Sequence, residues 1–203
     1  MHLLIVDNHD SFVYNIVGLL RRCIANDADT IRWSVVKNDA VDHDRLHEYD
    51  AIILSPGPGL PSETAGLMKI IGSSVGKKPI LGICLGCQAI AEYYGGHLEK
   101  LQKPAHGHVS VLKEIDSRDP LMRCFADTAA FVGRYHSWIV SERDFPETLT
   151  VTARDEDGHI MALRHRSLPV FGVQFHPESL MTASGTIMME SFLALTSGTC
   201  HGC

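Results

Sequence analysis

The sequence predicts an α/β fold: an open, mostly parallel, twisted sheet flanked by helices, with additional antiparallel strands in the C-terminal half. In the first half, short apolar runs alternate with segments of helical periodicity, which is typical of parallel strands joined by crossovers. In the second half, strand-like runs follow closely and are joined by turn signals such as DEDG at 155–158. No linker, repeat or charge block divides the chain, so 1–203 is predicted to be a single domain.

Four apolar runs are the predicted parallel strands, and a helix is expected after the first, third and fourth. The runs are HLLIVD at 2–7, TIRWSVV at 30–36, YDAIILS at 49–55 and KPILGIC at 78–84. Asp10 or Ser11 is the expected N-cap of the first helix. Ser62 is expected to open the second helix, and Gly95 and Gly96 to end the third.

Five strand-like runs and one helix make up the predicted C-terminal half. The runs are HVSVLKEI at 108–115, AAFVGRYHS at 129–137, LTVTARD at 149–155, IMALRHR at 160–166 and PVFGVQF at 169–175, and the helix extends from about 183 to 195. An open α/β sheet binds ligands at the carboxyl ends of its strands. A site is therefore expected in the loops after Asp7, Ser55 and Ile83 and at the strand end near Phe175.

Composition narrows the classes of partner. The net charge is −6, with 18 Lys and Arg against 24 Asp and Glu, which argues against nucleic acid and favours small molecules or proteins as partners. No apolar run approaches the ~18 residues of a membrane span, and no signal-peptide pattern is present, so a cytoplasmic protein without a membrane association is expected. Because thiols stay reduced there, the six cysteines are expected to be thiols, ligands or nucleophiles.

The motif GICLG at 82–86 lies between a predicted buried strand and a helix, the setting in which hydrolases present a nucleophile on a sharp turn. The atom presented here is the sulfur of Cys84. The first amides of the following helix point toward it and favour the thiolate. The flanking glycines suit a turn and a strand–helix contact without room for a Cβ. A buried structural cysteine is the alternative, but the elbow favours a nucleophile.

The motif GVQFHPES at 172–179 offers the acid and base that a thiolate nucleophile needs. It predicts a strand that ends at His176, with Glu178 two positions later. In extended backbone the two side chains project to the same side, so the carboxylate orients the imidazole and stabilises the imidazolium. Pro177 favours that extended conformation. Alone, the motif is equally compatible with a surface turn, but with Cys84 it completes a Cys–His–Glu triad.

Backbone N–H groups are expected to stabilise the oxyanion of such a reaction. The N–H of Leu85, directly after the nucleophile, is one candidate. The loop SPGPG at 55–59 offers a second from Gly57 or Gly59, because Pro58 has no N–H. A plain turn is the alternative for this loop.

Seven segments resemble, in order and over nearly the whole chain, the class I (triad) glutamine amidotransferases. They are VDNHDSFVYNIVGLL, LSPGPGLPSE, GICLGCQAI, HGHVSVL, RYHSW, MALRHR and GVQFHPESLMT. The triad motifs mark the wider family, whereas the opening D-N-x-D-S-F-x-Y-N is similar to glutaminase subunits of anthranilate synthase and 4-amino-4-deoxychorismate synthase. The resemblance implies the flavodoxin-like fold of a single amidotransferase domain.

The resemblance implies a role for each matching residue. Cys84 is the nucleophile, and His176 and Glu178 complete the triad. Gly57 and Leu85 form the oxyanion hole. The residues that hold the substrate glutamine are Gly57, Pro58, Gly59, Gln88, Ser137 and Trp138.

Two residues depart from the family pattern, namely Cys87, where histidine is common, and Trp138, where leucine is usual. Neither belongs to the triad, so the activity is still expected, while Trp138 bears on the glutamine pocket or the partner surface. Gln88 also follows from spacing alone, because it lies one helical turn after Cys84 on the same face.

The resemblance also implies the reaction and the partner. Glutamine is hydrolysed to glutamate and ammonia through a thioester on Cys84, with no cofactor and no metal in this chain. The ammonia passes to a larger chorismate-binding synthase subunit, which in the family uses magnesium, assembles as a heterodimer or heterotetramer and raises the glutaminase activity. That partner decides whether the product is anthranilate for tryptophan or aminodeoxychorismate for folate biosynthesis.

Two other functions are open alternatives. Cys84 and Cys87 have the C-x-x-C spacing of a redox pair or half a metal site, which suits a thiol redox or metal-binding regulator. A stand-alone hydrolase of γ-glutamyl substrates would share the triad. The tail TCHGC at 199–203 repeats the cysteine spacing, but it is too distant for a usual zinc site and is a candidate for disorder. The spacing of Cys84 and Cys87 also predicts that mild oxidation joins them in a disulfide and so inactivates Cys84 reversibly.

Overall fold

The computed structural model describes residues 1–24, 31–126 and 130–196, apart from the side chain of His106, so the tail at 199–203 lies outside the described residues. The strands are β1 (His2–Asp7), β2 (Arg32–Lys37), β3 (Ala51–Leu54), β4 (Ile80–Ile83), β5 (Leu98–Ile115), β6 (Phe131–Val140), β7 (Leu149–Asp155), β8 (Ile160–His165) and β9 (Val170–Val173). The α-helices are α1 (Val13–Cys23), α2 (Leu67–Ser74), α3 (Leu85–Tyr93) and α4 (Gly185–Thr196). Within these ranges, no helix combines the length and the apolar character that a membrane crossing requires.

The nine strands form one sheet in the order β2-β1-β3-β4-β9-β8-β7-β5-β6. Neighbours from β2 to β9 pair in parallel, and neighbours from β9 to β6 pair antiparallel. The predicted α/β fold class is confirmed. One strand differs from the prediction. β9 is expected among the antiparallel strands of the C-terminal half, but it pairs in parallel with β4 on one side and antiparallel with β8 on the other. The carboxyl ends of β4 and β9 therefore lie side by side.

Apolar side chains cover both faces of the parallel strands. In β1, Leu3 and Ile5 join a cluster with α1 and α4, whereas Leu4 and Val6 join a second cluster with α2 and α3. This alternation follows from the period of two along a strand, and it explains why the parallel strands are continuous apolar runs. The helices cover the faces, and the carboxyl ends of the strands are left for a site.

Two helix starts differ from the prediction. Phe12 is the N-cap of α1, one residue after Ser11, while the carboxylate of Asp10 accepts the N–H of Phe12 at 2.7 Å. Ser62 lies in a separate 3-10 helix, and α2 begins only after Gly66, whose φ of 75° lies outside the right-handed helical region. Both differences arise because a tight turn precedes the helix, and such turns leave little trace in the apolar pattern.

Candidate active site

Cys84 occupies a strained elbow between β4 and α3. Its φ is 51° and its ψ is −104°, a conformation that non-glycine residues rarely adopt. The Cys84 N–H donates to the carbonyl of Val173 on β9 at 2.8 Å, which ties the turn to the neighbouring strand. Strain of this kind persists where the surroundings enforce it, and it is concentrated at functional sites.

The two glycines that flank the elbow are needed for close packing. A Cβ on Gly82 would lie 2.4 Å from the backbone carbon of Gly86, and a Cβ on Gly86 would lie 2.4 Å from the carbonyl oxygen of Leu54. Both neighbours are backbone atoms, which cannot rotate away. The G-x-C-x-G pattern therefore reflects the contact of α3 with β3 and β4, as the sequence predicts.

His176 and Glu178 lie beside the elbow, but in a turn. β9 ends at Val173, and the His176 N–H then donates to the carbonyl of Gly133 on β6 at 3.0 Å. The Ser179 N–H donates to the carbonyl of His176 at 3.2 Å, which closes the turn. The predicted strand therefore ends at Val173 instead of His176, which keeps an isolated antiparallel bridge to Gly133, and the expectation of extended backbone from His176 to Glu178 is wrong. The turn still brings the two side chains together, with Nδ1 of His176 donating to Oε1 of Glu178 at 2.8 Å.

Burial and charge determine the protonation of this pair. His176 is 1% exposed and Glu178 is 4% exposed. Burial by itself lowers the pKa of His176, but the interactions of the imidazole with Cys84 and Glu178 outweigh it and raise the pKa to about 10. Nε2 of His176 has no conventional hydrogen-bond partner in the described part of the chain. The raised pKa favours the imidazolium form, in which Nδ1–H is committed to Glu178 and Cys84 interacts with the same ring.

A cavity of about 260 Å³ opens at Cys84. It is lined by the six predicted substrate residues and by three others, Cys84, Tyr135 and His136. The substrate residues are Gly57, Pro58, Gly59, Gln88, Ser137 and Trp138. Its volume lies just below the ~300–1,000 Å³ of typical ligand pockets, which suits a small molecule. Leu85, His176 and Glu178 are not among the lining residues, and Glu178 lines a separate cavity.

The loop after β3 packs against the start of α3. A Cβ on Gly57 would lie 2.5 Å from Cδ2 of Leu85 and 2.7 Å from Cβ of Asn8, whereas Gly59 faces Glu63. Leu85 is the first residue of α3, so its N–H has no carbonyl one turn back to bond. Of the two candidate glycines, Gly57 is the one adjacent to Leu85.

A buried network holds this loop. Oγ of Ser55 accepts the Asn8 N–H at 3.0 Å and donates to the carbonyl of Pro56 at 2.7 Å. The Asn8 amide donates to the carbonyl of Ser55 at 2.8 Å and accepts from Nδ2 of Asn38 at 3.2 Å. Because a peptide bond is planar, a fixed Pro56 carbonyl also fixes the direction of the Gly57 N–H.

Several residues of this region were not predicted from the sequence. The rings of Phe12 and Tyr135 pack against the His176 imidazole at centroid distances of 5.2 and 5.0 Å. His136 is buried, and its environment lowers the pKa to about 3, chiefly through burial and secondly through Arg134. Gln174 lies beside the Cys84 sulfur. All four residues lie in segments that carry the family resemblance, but no local pattern places them against His176 or Cys84.

Cys87 packs in a different apolar cluster from Cys84. It is 0% exposed, packs in the α2 and α3 cluster, and its burial raises the pKa of its thiol. Cys84 belongs to the cluster on the opposite face. The cysteines of the described ranges are free thiols, while Cys200 and Cys203 lie outside those ranges. This arrangement offers no support for a shared redox or metal site, and oxidation through Cys87 stays a prediction.

One group of potential metal ligands occurs among the described residues, and it includes no member of the predicted triad. It consists of Asp155, Asp157 and His159. The Asp155 carboxylate already accepts hydrogen bonds from Arg134 and His159. These partners satisfy the carboxylate without an ion.

Fold and site together define an α/β protein that presents a cysteine on a strand-to-helix elbow, next to a buried histidine–glutamate pair at the carboxyl ends of parallel strands. The sequence model described as "Glutamine amidotransferase class-I" matches residues 4–195. The chain therefore belongs to the class-I glutamine amidotransferase family, and the resemblance inferred from its motifs is confirmed.

Individual relatives agree with this assignment. The chain is 38% identical over 200 residues to the aminodeoxychorismate/anthranilate synthase component 2 of Bacillus subtilis, covering 94% of this chain and 95% of that one. It is 40% identical over 200 residues to an aminodeoxychorismate synthase of Streptomyces griseus, covering 97% of this chain and 26% of that protein. A solved glutamine amidotransferase of Thermotoga maritima superposes with a TM-score of 0.74 at 14% identity over 97% of each chain, a likeness that concerns the fold alone.

Proposed function

We propose that this amidotransferase hydrolyses L-glutamine to glutamate and ammonia, and that the ammonia passes to a chorismate-binding synthase subunit that makes anthranilate or aminodeoxychorismate. The observation that carries the proposal is the elbow sulfur of Cys84 beside the His176–Glu178 pair, whose N–O distance is 2.8 Å. The names of the Bacillus subtilis and Streptomyces griseus relatives support the synthase partner.

The proposed mechanism uses the triad twice. The Cys84 thiolate attacks the side-chain amide carbon of glutamine, and the His176 imidazolium gives its proton to the departing ammonia. Neutral His176 then takes a proton from water, whose oxygen attacks the thioester to give glutamate and return the thiolate. Glu178 keeps the imidazole oriented and stabilises its cationic form. The N–H groups of Gly57 and Leu85 donate to the oxyanion in both steps.

Substrate recognition is assigned to the cavity wall. Gln88, Ser137 and Trp138, with the loop at 57–59, surround the space in front of Cys84. The mechanism calls on no cofactor or metal in this chain. A heterodimer or heterotetramer with the synthase subunit in the cytoplasm is part of the proposal, since a reducing compartment keeps Cys84 as a thiol.

Reconstitution tests this function. The purified chain is mixed with anthranilate synthase or aminodeoxychorismate synthase subunits, chorismate and glutamine, and the aromatic product is identified. We expect glutamine-dependent product with at least one subunit, and Cys84→Ala should remove the glutamine-dependent product while ammonium salts still support synthesis. Full glutaminase activity without a partner, combined with no glutamine-dependent product, would favour a stand-alone hydrolase.

Ser55→Ala is expected to lower kcat for glutamine hydrolysis by about 10- to 100-fold, less than the ~10²–10³-fold cost of losing a whole oxyanion donor. The substitution removes the hydrogen bond to the Pro56 carbonyl. The peptide can then rotate, and the Gly57 N–H is no longer held toward the oxyanion. KM should change little, because the oxyanion exists only along the reaction path. Ser74→Ala is the matched control, since its buried hydroxyl has no hydrogen-bond partner in the described part of the chain. Equal kcat in Ser55→Ala and Ser74→Ala would remove the assigned role of Ser55.

A further inference from the structure

The register of β9 against β4 places a second polar group beside the nucleophile. Ile83 pairs with Val173 in parallel, so the next residues along the two strands, Cys84 and Gln174, are neighbours. Nε2 of Gln174 lies 3.7 Å from Sγ of Cys84. Gln174 is 0% exposed, and its backbone N–H donates to the carbonyl of Met161 on β8 at 2.8 Å. Its position is therefore fixed by the sheet on both sides.

The direction of the Gln174 amide is set by a chain of hydrogen bonds that begins at a backbone carbonyl. The Trp138 carbonyl can only accept, so the Gln88 amide must turn its nitrogen toward it, and Nε2 donates there at 2.8 Å. The same Nε2 donates to Oε1 of Gln174 at 3.1 Å. With its oxygen committed to Gln88, Gln174 directs its NH₂ group at Cys84.

We propose that Gln174 is a further catalytic residue of this site, whose amide N–H donates to the Cys84 sulfur and stabilises the thiolate. The inference rests on the proposed function, because it assumes that Cys84 is the nucleophile. A donor to an anion forms a stronger hydrogen bond than a donor to a neutral group. The donor therefore favours the thiolate over the thiol. The sulfur is then stabilised from two sides, by the His176 imidazolium and by a neutral amide that does not titrate.

The same chain links the nucleophile to the substrate cavity. Gln88 lines the cavity, contacts the Trp138 carbonyl in its wall, and orients the amide that faces Cys84. Loss of Gln88 should therefore weaken the interaction of Gln174 with the sulfur. Gln174 itself is not a lining residue, so its loss should affect kcat more than KM.

Gln174→Met tests the proposal, because methionine keeps the length and the burial and has no donor. We expect the rate of Cys84 alkylation by iodoacetamide at neutral pH to fall about 3- to 15-fold, because a lost hydrogen bond to a charged group lowers the thiolate fraction while the more basic thiolate is more nucleophilic. The pH midpoint of alkylation should rise, and kcat for glutamine should fall with KM nearly unchanged. Gln102→Met is the matched control, since Gln102 is exposed on β5. If Gln174→Met does not fold, Gln174→Asn, whose amide falls short of the sulfur, replaces it with the same expectation.

A double-mutant cycle in the alkylation rate separates this role from packing. We expect Gln88→Met and Gln174→Met to be non-additive, because both break one chain of hydrogen bonds. Alkylation of Gln174→Met at the parent rate and with the parent pH midpoint would overturn the proposal. That outcome would leave the proposed function intact, because the proposed function is tested separately by Cys84→Ala and by the reconstitution.

Discussion

Cys84→Ala is expected to lower the rate of glutamine hydrolysis by at least about 10⁴-fold, because it removes the atom that forms the thioester. Cys84 is 5% exposed, so alanine leaves only a small vacancy at the elbow, and the fold should persist. Glutamate release, measured with the parent and the variant at equal concentration, gives the ratio. Trapping of a thioester with radiolabelled glutamine should succeed in the parent and fail in the variant.

Cys87→Ala is the matched control for this experiment, three positions along the chain. Cys87 packs in the core, where its sulfur would lie 2.8 Å from a Cβ added to Gly172, so its loss creates a small cavity without touching the reaction. We expect near-parent activity with a stability loss of about 1–2 kcal/mol. Substantial hydrolysis by folded Cys84→Ala, or equal loss in both variants, would contradict the assignment of the nucleophile.

His176→Gln is expected to lower glutamine hydrolysis by about 10³-fold or more, because it removes the group that protonates the ammonia and then activates water. Glu178→Gln is expected to have a smaller effect on the rate and to change its pH dependence. In the parent the pKa of His176 is raised, so the imidazolium persists into alkaline solution. Without the negative charge of Glu178 the imidazolium loses its proton at lower pH. The alkaline limb of kcat/KM should therefore move to lower pH, by about one pH unit or more.

Two outcomes would contradict the role of His176. Folded His176→Gln could retain glutamine hydrolysis within about tenfold of the parent, or Glu178→Gln could move the alkaline limb upward. The same variant distinguishes the two functions. A glutaminase should lose glutamine hydrolysis in His176→Gln, whereas a redox regulator built on Cys84 and Cys87 should keep its thiol oxidation unaltered. His108→Gln, at an exposed position of β5, controls for the substitution itself.

Local patterns were sufficient for the elbow, whereas most of the predicted cavity residues followed from the family resemblance. A buried run, two glycines and a cysteine in five positions specify a strand-to-helix turn, because each constraint acts between residues close in sequence. Gln88 follows from the same logic, one helical turn after Cys84. The contact between His176 and Glu178 was also predicted, although for a wrong reason: the structure forms it in a turn instead of along a strand.

The sequence by itself determined the α/β class, the elbow at Cys84 and the position of Gln88, because these depend on apolar periodicity and on short motifs. Only the tertiary structure decided that β9 pairs in parallel with β4, that Gln174 consequently faces the sulfur, and that the Asn8 N–H donates to Oγ of Ser55. The physical reason is that strand register and buried hydrogen bonds join residues distant in sequence. Such pairings depend on how the whole sheet assembles, and no local pattern encodes them.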